Sequence, residues 1–360
     1  MRIVFQGGDN MFGRAVQLTL PYQTEGDDQI TDSQSAQLYL DQILPGVDIG
    51  DLRDQNVRGE YLWGDVPFDL GEDVRILNLE AAPTLTINNP DIPAKTIHYH
   101  VNMYNIPLIF SKFAAPIVLS MANNHTIDMG KTALTQETLK FIPNSVGVGN
   151  NIIRATEPKR IGNLAIYAFG AGCSGVPSDW AATSTSSGIA YLPPIDSDAN
   201  VDAAFSIIQQ SIRAEDYNRC ICISIHWGPN WASTSGDNQP YRVKLAHRLI
   251  DEAGVSIIYG HSSHHIRGIE LYRGKLILYG AGDFINDYEN ISSKYDTGGA
   301  LFIVDLNDDY TFKDLNLIPF EVKKLQCKRI VDVRRIRALL RFINDQSKRD
   351  CMNPLLLSIY

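Results

Sequence analysis

Five apolar segments of strand length end in polar side chains, and this repeated pattern constrains the fold of the 360-residue chain more than any other feature. The segments are RIVFQGGD, VRILNLE, PIVLSMANNH, CICISIHWG and VSIIYGHSSHH. Short apolar segments with β-branched residues and flanking glycine are typical of buried strands in an α/β sheet. Ligands of such sheets bind beyond the carboxyl ends of the strands. The pattern therefore predicts one pocket that is assembled from these strand ends.

The side chains at the five strand ends are types that bind metals or transfer protons. They comprise two carboxylates, an amide and several imidazoles, namely Asp9, Glu80, Asn124, His125, His226, His261, His264 and His265. A mixture of oxygen and nitrogen donors suits a divalent transition metal, or a pair of them, better than a calcium site. The sequence therefore predicts a metal-dependent enzyme.

Several of these residues also have a purely structural interpretation. Asp9 can be the N-cap of a helix predicted to follow it. Glu80 ends an apolar strand, where a lone carboxylate is energetically costly unless a cation lies beside it. That cation could be the partner in a structural salt bridge. Asn124 suits a left-handed turn, but its amide oxygen is also a metal donor, and the adjacent His125 could donate a proton to a leaving group. Asp128 either orients His125 or caps the helix that follows.

The HSSHH segment places three of the chain's 8 histidines within five residues. We predict that at least one of them is a metal ligand. The spacing does not settle which of His261, His264 and His265 it is. His98 and His100 alternate along an extended segment, so they could share a face as loop or substrate-side residues.

Composition excludes several classes of protein. A net charge of -9 argues against a general nucleic-acid binder, because no excess of basic residues is present to neutralise phosphates. No segment approaches the roughly 20 apolar residues of a transmembrane helix, and the first apolar segment is too short for a signal peptide. The 5 cysteines show no disulfide or zinc-finger spacing. We therefore expect a cytoplasmic protein in a reducing compartment.

The remaining sequence predicts helices between the strands and a hairpin that turns at Arg273 and Gly274. The segment GAGCSG resembles a dinucleotide fingerprint, but no helix is predicted to start there, so we interpret it as a turn. No linker divides the chain. We expect one domain over residues 1–325 and a C-terminal helical extension over 326–360. The predicted helices cover residues 11–20, 35–44, 104–113, 128–142, 198–214 and 241–254.

The motifs GGDNMFGR, NLEAAPT, SMANNHTIDMG, SIHWGPNW and GHSSHHIRGIELYRGKLILYGAGDFIND occur in the order seen in the CapA (PgsA) family. The chain resembles these capsule-synthesis proteins, which are associated with poly-γ-glutamate, over roughly residues 1–305. The family is related to the calcineurin-like metallophosphoesterases. The resemblance implies an α/β fold of the metallophosphoesterase type, a four-layer sandwich in which two mixed β-sheets are flanked by helices around a dinuclear metal site.

The resemblance also implies roles for individual residues. It places Asp9, Glu80, Asn124, His226 and the histidines His261 and His264 at metal-ligand positions, and His125 where the related enzymes have the histidine that assists the leaving group. The chain departs from the family in two places. Ser263-His264-His265 stands where many members have Pro-His-Val, and Asp283-Phe284 stands where they have Asn-Phe. The Asp-x-His opening of the phosphoesterases is also absent, because Asp9 is followed by Asn10 and Met11.

Three functional hypotheses follow. In the first, the protein is a metal-dependent hydrolase of phosphoesters or related substrates. It would use one or two manganese, zinc or iron ions, the catalytic residues His125 and Asp128, and Arg14 or Arg267 to offset developing charge. In the second, it is a transferase or accessory protein that acts on γ-glutamyl or amide substrates. In the third, it is a non-catalytic binder with the same fold. The partner in each case is a small-molecule or polymer substrate.

Overall fold

A computed structural model describes residues 1–26, 36–87, 89–231, 239–289 and 298–358. The strands within these residues are β1 (Arg2–Asn10), β2 (Val74–Leu79), β3 (Ala82–Thr84), β4 (His100–Asn102), β5 (Ile117–Ser120), β6 (Ser145–Val146), β7 (Val148–Gly149), β8 (Lys159–Ile161), β9 (Leu164–Ala171), β10 (Gly188–Ile189), β11 (Tyr191–Leu192), β12 (Cys220–His226), β13 (Ile257–His261), β14 (Ile269–Tyr272), β15 (Lys275–Leu278), β16 (Asp283–Ile285), β17 (Gly299–Leu306), β18 (Phe312–Lys323) and β19 (Gln326–Arg329).

Helices connect the strands. They are α1 (Ala15–Leu18), α2 (Ala36–Ile43), α3 (Ile49–Gln55), α4 (Glu60–Trp63), α5 (Asn105–Ile109), α6 (Gly130–Ala133), α7 (Leu139–Phe141), α8 (Ile152–Ala155), α9 (Asp198–Ser211), α10 (Gln239–Ala253) and α11 (Val333–Asp350). A π-helical turn, Leu134–Thr138, joins α6 to α7, and single 3-10 turns occur at Gly172–Ser174, Ser178–Trp180 and Ala214–Asn218. The helices within the described residues are each too short or too polar to span a membrane.

Two mixed β-sheets form the centre of the fold. The first has the strand order β19-β18-β17-β1-β2-β5-β6, with β16 also paired to β1, and the second has the order β11-β9-β12-β13-β15-β14, with β8 paired to β9. β1, β2 and β5 run parallel, as do β9, β12 and β13. The carboxyl ends of these parallel strands carry the polar clusters. The strand orders confirm the predicted arrangement of two mixed sheets flanked by helices.

The two sheets pack against each other through alternate side chains of their strands. In β12, Cys220 and Cys222 belong to the core shared with the first sheet. The intervening Ile221, Ile223 and Ile225 pack in the cluster that includes α9 and α10. Alternate residues of a strand point to opposite faces, so the apolar CICISI segment is buried between the other sheet and a layer of helices.

Direct contacts join the sheets near the strand ends. The rings of Phe5 and Tyr259 lie 4.7 Å apart between centroids, and the Tyr259 hydroxyl donates to the Gly7 carbonyl at 2.6 Å. The Ser224 hydroxyl donates to Ser120 Oγ at 2.9 Å. These contacts fix β1 and β5 of the first sheet relative to β12 and β13 of the second, and therefore bring the polar strand ends together.

Two predictions about local structure are wrong. The helix expected over residues 11–20 is only the short α1, because β1 continues to Asn10 and Arg14 has a φ of 51° that ends regular structure before α1. Asp9 is therefore a strand residue and caps no helix. The C-terminal extension is not wholly helical, since β19 is an edge strand of the first sheet and only α11 is a helix.

Other predictions hold. The hairpin turns at Arg273 and Gly274, whose φ values of 49° and 73° are those of a tight primed turn. GAGCSG ends β9 and passes into a single 3-10 turn, so it does not open a nucleotide-binding helix. Residue 35, the first of the second predicted helix, lies outside the described residues.

Candidate metal centre and active site

Asp9 lies at the carboxyl end of β1, where the polar strand ends meet, and is fully buried. Its Oδ1 accepts a hydrogen bond from Asn78 Nδ2 at 2.8 Å, and its Oδ2 accepts one from the backbone N–H of Ser262 at 3.1 Å. These bonds hold the carboxylate so that Oδ1 is directed to one pair of histidines and Oδ2 to another histidine.

Asp9, His226 and His261 form the first group that could hold a metal ion. β12 and β13 are parallel and place His226 opposite His261, so both rings leave the same end of the second sheet. The two Nδ1 atoms lie 2.8 Å apart, and they are 3.7 Å and 3.9 Å from Asp9 Oδ1. Ligand atoms of a tetrahedral site with bonds of about 2.1 Å are about 3.4 Å apart, so this triangle is compatible with a zinc-like ion.

The hydrogen bonds of the outer ring nitrogens indicate which nitrogens carry protons. His226 Nε2 lies 3.0 Å from Asn124 Oδ1, which only accepts, so His226 Nε2 donates. His261 Nε2 lies 2.9 Å from Ser224 Oγ, whose own proton goes to Ser120. His261 Nε2 therefore also donates. Both Nδ1 atoms are then unprotonated, and their lone pairs are directed at the same point. This is the arrangement that a cation requires.

A second group comprises Asp9, His264 and Asp283. His264 Nδ1 lies 4.0 Å from Asp9 Oδ2 and 2.7 Å from Asp283 Oδ1. Asp283 begins β16, which pairs with β1 in a register that puts Asp283 opposite Asp9. The two groups share Asp9 and no other residue, so one carboxylate connects two places where a metal could bind.

Glu80 follows β2 and lies beside the first group. Its Oε1 is 3.9 Å from His226 Nε2 and 4.0 Å from His125 Nε2. Its Oε2 is buried and has no hydrogen-bond partner among the described residues. An unpartnered buried carboxylate oxygen costs a few kcal/mol, on the order of 1–3, unless a cation meets it. The residues present therefore fit a divalent metal.

Burial shifts the pKa values of the central groups in the direction that favours their neutral forms, as the following residues show: Asp9, Glu80, His226 and His261. It raises the pKa of Asp9 to about 6 and that of Glu80 well above its ordinary value, where the neighbouring Asp9 adds to the effect. It lowers the pKa of His261 to about 3 and that of His226 well below its ordinary value. The imidazoles of His226 and His261 are thus neutral, as metal ligands must be. Burial would also lower the pKa of His264, but Asp283 and Asp9 outweigh it and raise that pKa. The crowded carboxylates would be stabilised by a positive ion.

His125, Asp128 and Lys95 form a second cluster beside the metal groups. His125 Nδ1 lies 2.6 Å from Asp128 Oδ2, so the ring donates to the carboxylate and its Nε2 is directed towards Glu80. Asp128 Oδ1 accepts from Lys95 Nζ at 2.7 Å. Burial would raise the pKa of Asp128, but His125 and Lys95 outweigh it and lower that pKa. Asp128 therefore orients His125, and it caps no helix, since Met129 precedes α6 without a side-chain cap.

Arg14 is engaged by contacts within the protein. Its guanidinium pairs with Asp287 through two nitrogens, is almost completely buried, and lies 4.2 Å from the ring centroid of Tyr39. The carboxylate of Asp287 already balances its charge, so the structure gives no support to Arg14 as a catalytic residue. Arg267 is also buried.

The structure brings most of the predicted site residues together, and it distinguishes among the histidines. His261 and His264 join the two metal groups, whereas His265 is buried beside Phe342, 6.1 Å away between ring centroids, and belongs to neither described group. His98 bonds to Pro93 and His100 to Thr84, so neither lies in a described group.

Two residues of the site were not predicted. Asp283 follows an unremarkable glycine-rich turn, and only its departure from the family's Asn-Phe pair marked it. Lys95 lies in a proline-rich connection, 29 residues before Asn124, to whose carbonyl it donates at 2.6 Å. Nothing in its local sequence points to a site, because its role depends on where the loop returns to the protein.

The fold and the site define an α/β protein with a buried cluster of carboxylates and imidazoles that could hold divalent metal ions. The chain belongs to the family described as bacterial capsule synthesis protein PGA_cap, whose sequence model matches residues 3–288.

Relatives support this membership. A protein of Mycobacterium tuberculosis named "probable polyglutamine synthesis accessory protein" is 30% identical over 91% of this chain and 86% of its own length. The PGA biosynthesis protein CapA of Bacillus subtilis is 27% identical over 54% of this chain and 48% of its own length. A solved phosphatase of Mycoplasma pneumoniae aligns with 94% of this chain and 96% of its own, at 10% identity and a TM-score of 0.43. A similarity of that size carries no argument about activity.

Proposed function

We propose that this protein is a metal-dependent hydrolase of phosphoester substrates. The observation that supports it best is the position of Asp9, whose two carboxylate oxygens belong to two separate groups of metal donors. A carboxylate shared in this way is suited to connect two ions in one site. Such ions activate a water molecule and polarise the group that it attacks.

The protein's own residues would supply the proton transfer. Asp128 fixes the His125 ring so that Nε2 is directed to the side of the site where Glu80 and His226 lie. His125 Nε2 could then take the proton that the attacking water releases and pass it to the oxygen of a leaving group. Its side chain is 9% exposed, whereas those of Asp9, His226 and His261 are fully buried.

A substrate would reach the site from the side of its more exposed residues. Lys95 is 24% exposed and Asp283 11% exposed, and Asn124 is partly exposed. The donors Asp9, His226 and His261 are fully buried beneath them. The substrate group would therefore meet the metal donors at the base of the site and His125 at its rim.

The donor set favours manganese, zinc or iron. Imidazole nitrogens suit zinc and iron, and carboxylates also suit manganese. Asp9 with His226 and His261 offers one site of mixed donors, and Asp9 with His264 and Asp283 a second that is richer in oxygen. We therefore propose one or two divalent ions for each chain.

The names of the relatives favour a role in making a capsule or a glutamyl polymer. Two relatives are named for PGA or capsule biosynthesis and one for polyglutamine synthesis. A second candidate function follows from them. In this alternative the protein is a transferase or accessory protein, and the same site acts on γ-glutamyl substrates. Turnover of a γ-glutamyl oligomer, in place of an aryl phosphate, would favour this alternative.

Metal analysis combined with phosphatase assays tests the proposal. The purified protein should contain a divalent metal, hydrolyse an aryl phosphate, lose activity on chelation and regain it with manganese. His226→Ala should lose metal and activity, whereas the control His98→Ala, outside both groups, should keep both. A metal-free protein with undiminished hydrolysis would contradict the proposal. Ligand binding without turnover, unchanged in His226→Ala, would favour a non-catalytic binder.

A further inference from the structure

We propose that Lys95 is a positioning residue for His125 and acts through Asp128. The proposal deepens the hydrolase function proposed above and rests on it for its catalytic part. Lys95 Nζ lies 2.7 Å from Asp128 Oδ1, 2.6 Å from the carbonyl of Asn124 and 3.3 Å from His125 Nδ1.

The protons in this cluster can be assigned from its acceptors. Asp128 Oδ2 accepts from His125 Nδ1, so that nitrogen carries a proton and cannot accept one from Lys95. The ammonium group therefore donates to Asp128 Oδ1 and to the Asn124 carbonyl. The separation of 3.3 Å from His125 Nδ1 is a contact between two donors.

Asp128 is held through both of its oxygens. Oδ2 also accepts from the backbone N–H of Tyr99 at 2.7 Å, so it is fixed by the histidine and by the main chain. Oδ1 accepts from Lys95. A carboxylate with both oxygens occupied cannot rotate freely, and the His125 ring that donates to it keeps one orientation. Without Lys95, Oδ1 would lose its charged partner and the carboxylate could turn.

The loop that carries Lys95 is itself anchored. It runs from β3 to β4, and Glu137 in the π-helical turn accepts from Leu85 N at 2.5 Å and Thr86 Oγ1 at 2.7 Å. Asp91 accepts from Thr132 N at 2.8 Å. These bonds tie the loop to the helical segment that follows His125. Ordering a lysine side chain costs conformational entropy, and a fixed backbone reduces the remaining cost of placing it.

Lys95 also connects the two parts of the site. The Asn124 carbonyl that it binds belongs to the residue whose side chain accepts from His226 Nε2. The indole of Trp180 lies 5.5 Å from Nζ and covers one side of the ammonium group. Lys95 thus holds the leaving-group residue His125 at a fixed distance from the metal donors.

A series of substrates with different leaving groups tests the catalytic part. If Lys95 acts through His125, Lys95→Met should lower kcat for a poor leaving group such as an alkyl phosphate by about 100-fold. For 4-nitrophenyl phosphate, which needs little protonation, the loss should be below about 3-fold, with KM unchanged. Metal content should match the wild type, and Lys95→Arg should restore part of the loss. An equal loss for all substrates with a raised KM would instead show that Lys95 binds the phosphate.

A measurement without substrate keeps the proposal independent of the reaction. In ¹⁵N-histidine-labelled full-length protein, the His125 Nδ1 proton should give a slowly exchanging resonance. Lys95→Met should abolish that resonance or broaden it, while the exposed-lysine control Lys140→Met should leave it unchanged. If the resonance and its exchange rate persist in Lys95→Met, the proposal is overturned. If the resonance behaves as expected but no phosphoester is hydrolysed, the positioning role stands and the proposed function fails.

Discussion

The Nδ1 atoms of His226 and His261 lie 2.8 Å apart, and the hydrogen bonds of both rings leave neither atom with a proton. Two neutral donors with facing lone pairs repel each other unless a cation lies beside them. The adjacent Asp9 carboxylate supplies negative charge to the same point. This relationship is more informative about function than the presence of histidines, because it concerns which nitrogen of each ring is free.

The first prediction concerns metal binding and thermal stability. Manganese or zinc should raise the Tm of the wild-type protein, because an ion that binds only the folded state at 100 times its Kd adds about 2.7 kcal/mol. His261→Ala should abolish most of that rise, since it removes one of three donors of the first group. Differential scanning calorimetry with and without metal measures the effect. An equal rise in the variant would place the ion elsewhere.

The second prediction concerns stoichiometry. Asp9 belongs to both groups and Asp283 to one. Asp9→Asn should therefore weaken both ions, and Asp283→Asn should weaken only the ion of the second group. If both groups are occupied, titration calorimetry should give two ions for the wild type, one for Asp283→Asn and none at the same concentration for Asp9→Asn. Equal stoichiometry in both variants would contradict a shared carboxylate.

The strand ends could be predicted from the sequence because each depends on local pattern. The apolar CICISI segment predicts a buried strand by its composition alone, and His226 follows it in the chain. What the pattern could not give is which side of the pocket each ring occupies. His261, His264 and His265 are within five residues, and their separation depends on Ser262, which has a φ of 95° and turns the chain after β13.

Residues placed by distant contacts could not be predicted. Lys95 and Asp283 enter the site through the path of a loop and the pairing of β16 with β1, and neither leaves a periodic signal. The partner of Arg14 could not be predicted either. The sequence analysis names Arg14 as a residue that could offset developing charge, and the structure pairs it with Asp287, 273 residues away.

The third prediction concerns pH and stability, at a cluster away from the site. Asp216 accepts from Arg160 Nε at 2.7 Å and from the Tyr167 hydroxyl at 2.6 Å. Burial would raise the pKa of Asp216, but these partners outweigh it and lower that pKa. Because the pKa of Asp216 is lower in the folded state than its unfolded value of about 3.9, the ionised carboxylate stabilises the folded protein at pH values above about 3.9. This stabilisation is lost as the pH falls through the pKa of the folded state.

The measurement for this cluster is urea unfolding at several pH values. Asp216→Asn should destabilise the protein by roughly 2 kcal/mol at pH 7, the usual size for hydrogen bonds to a charged group. The difference should shrink as the pH falls below about 4, because the wild-type carboxylate is then protonated. Asp308→Asn, at an exposed position, should show little difference at either pH. A constant difference at all pH values would contradict the electrostatic explanation.

The last prediction concerns the backbone that holds Asp9. Gly7 has a φ of 57°, and a Cβ at that position would lie 2.5 Å from the Cβ of Phe284 in β16. Gly7→Ala should therefore cost about 3 kcal/mol, from the left-handed conformation and from overpacking together. Gly162 is a matched control, because its φ is 53° but nothing lies within 4 Å of an added Cβ. Gly162→Ala should cost only about 1 kcal/mol.

Metal binding separates the two effects further. Phe284 follows Asp283, so displacing β16 should also move that carboxylate away from Asp9. The Gly7→Ala variant should then bind metal more weakly than the wild type, because it loses the pairing of β1 with β16. The Gly162→Ala variant should bind metal as the wild type does. Equal destabilisation by both substitutions would show that backbone conformation alone sets the cost. In that case the close packing of β1 against β16 would not be what holds Asp9 opposite Asp283.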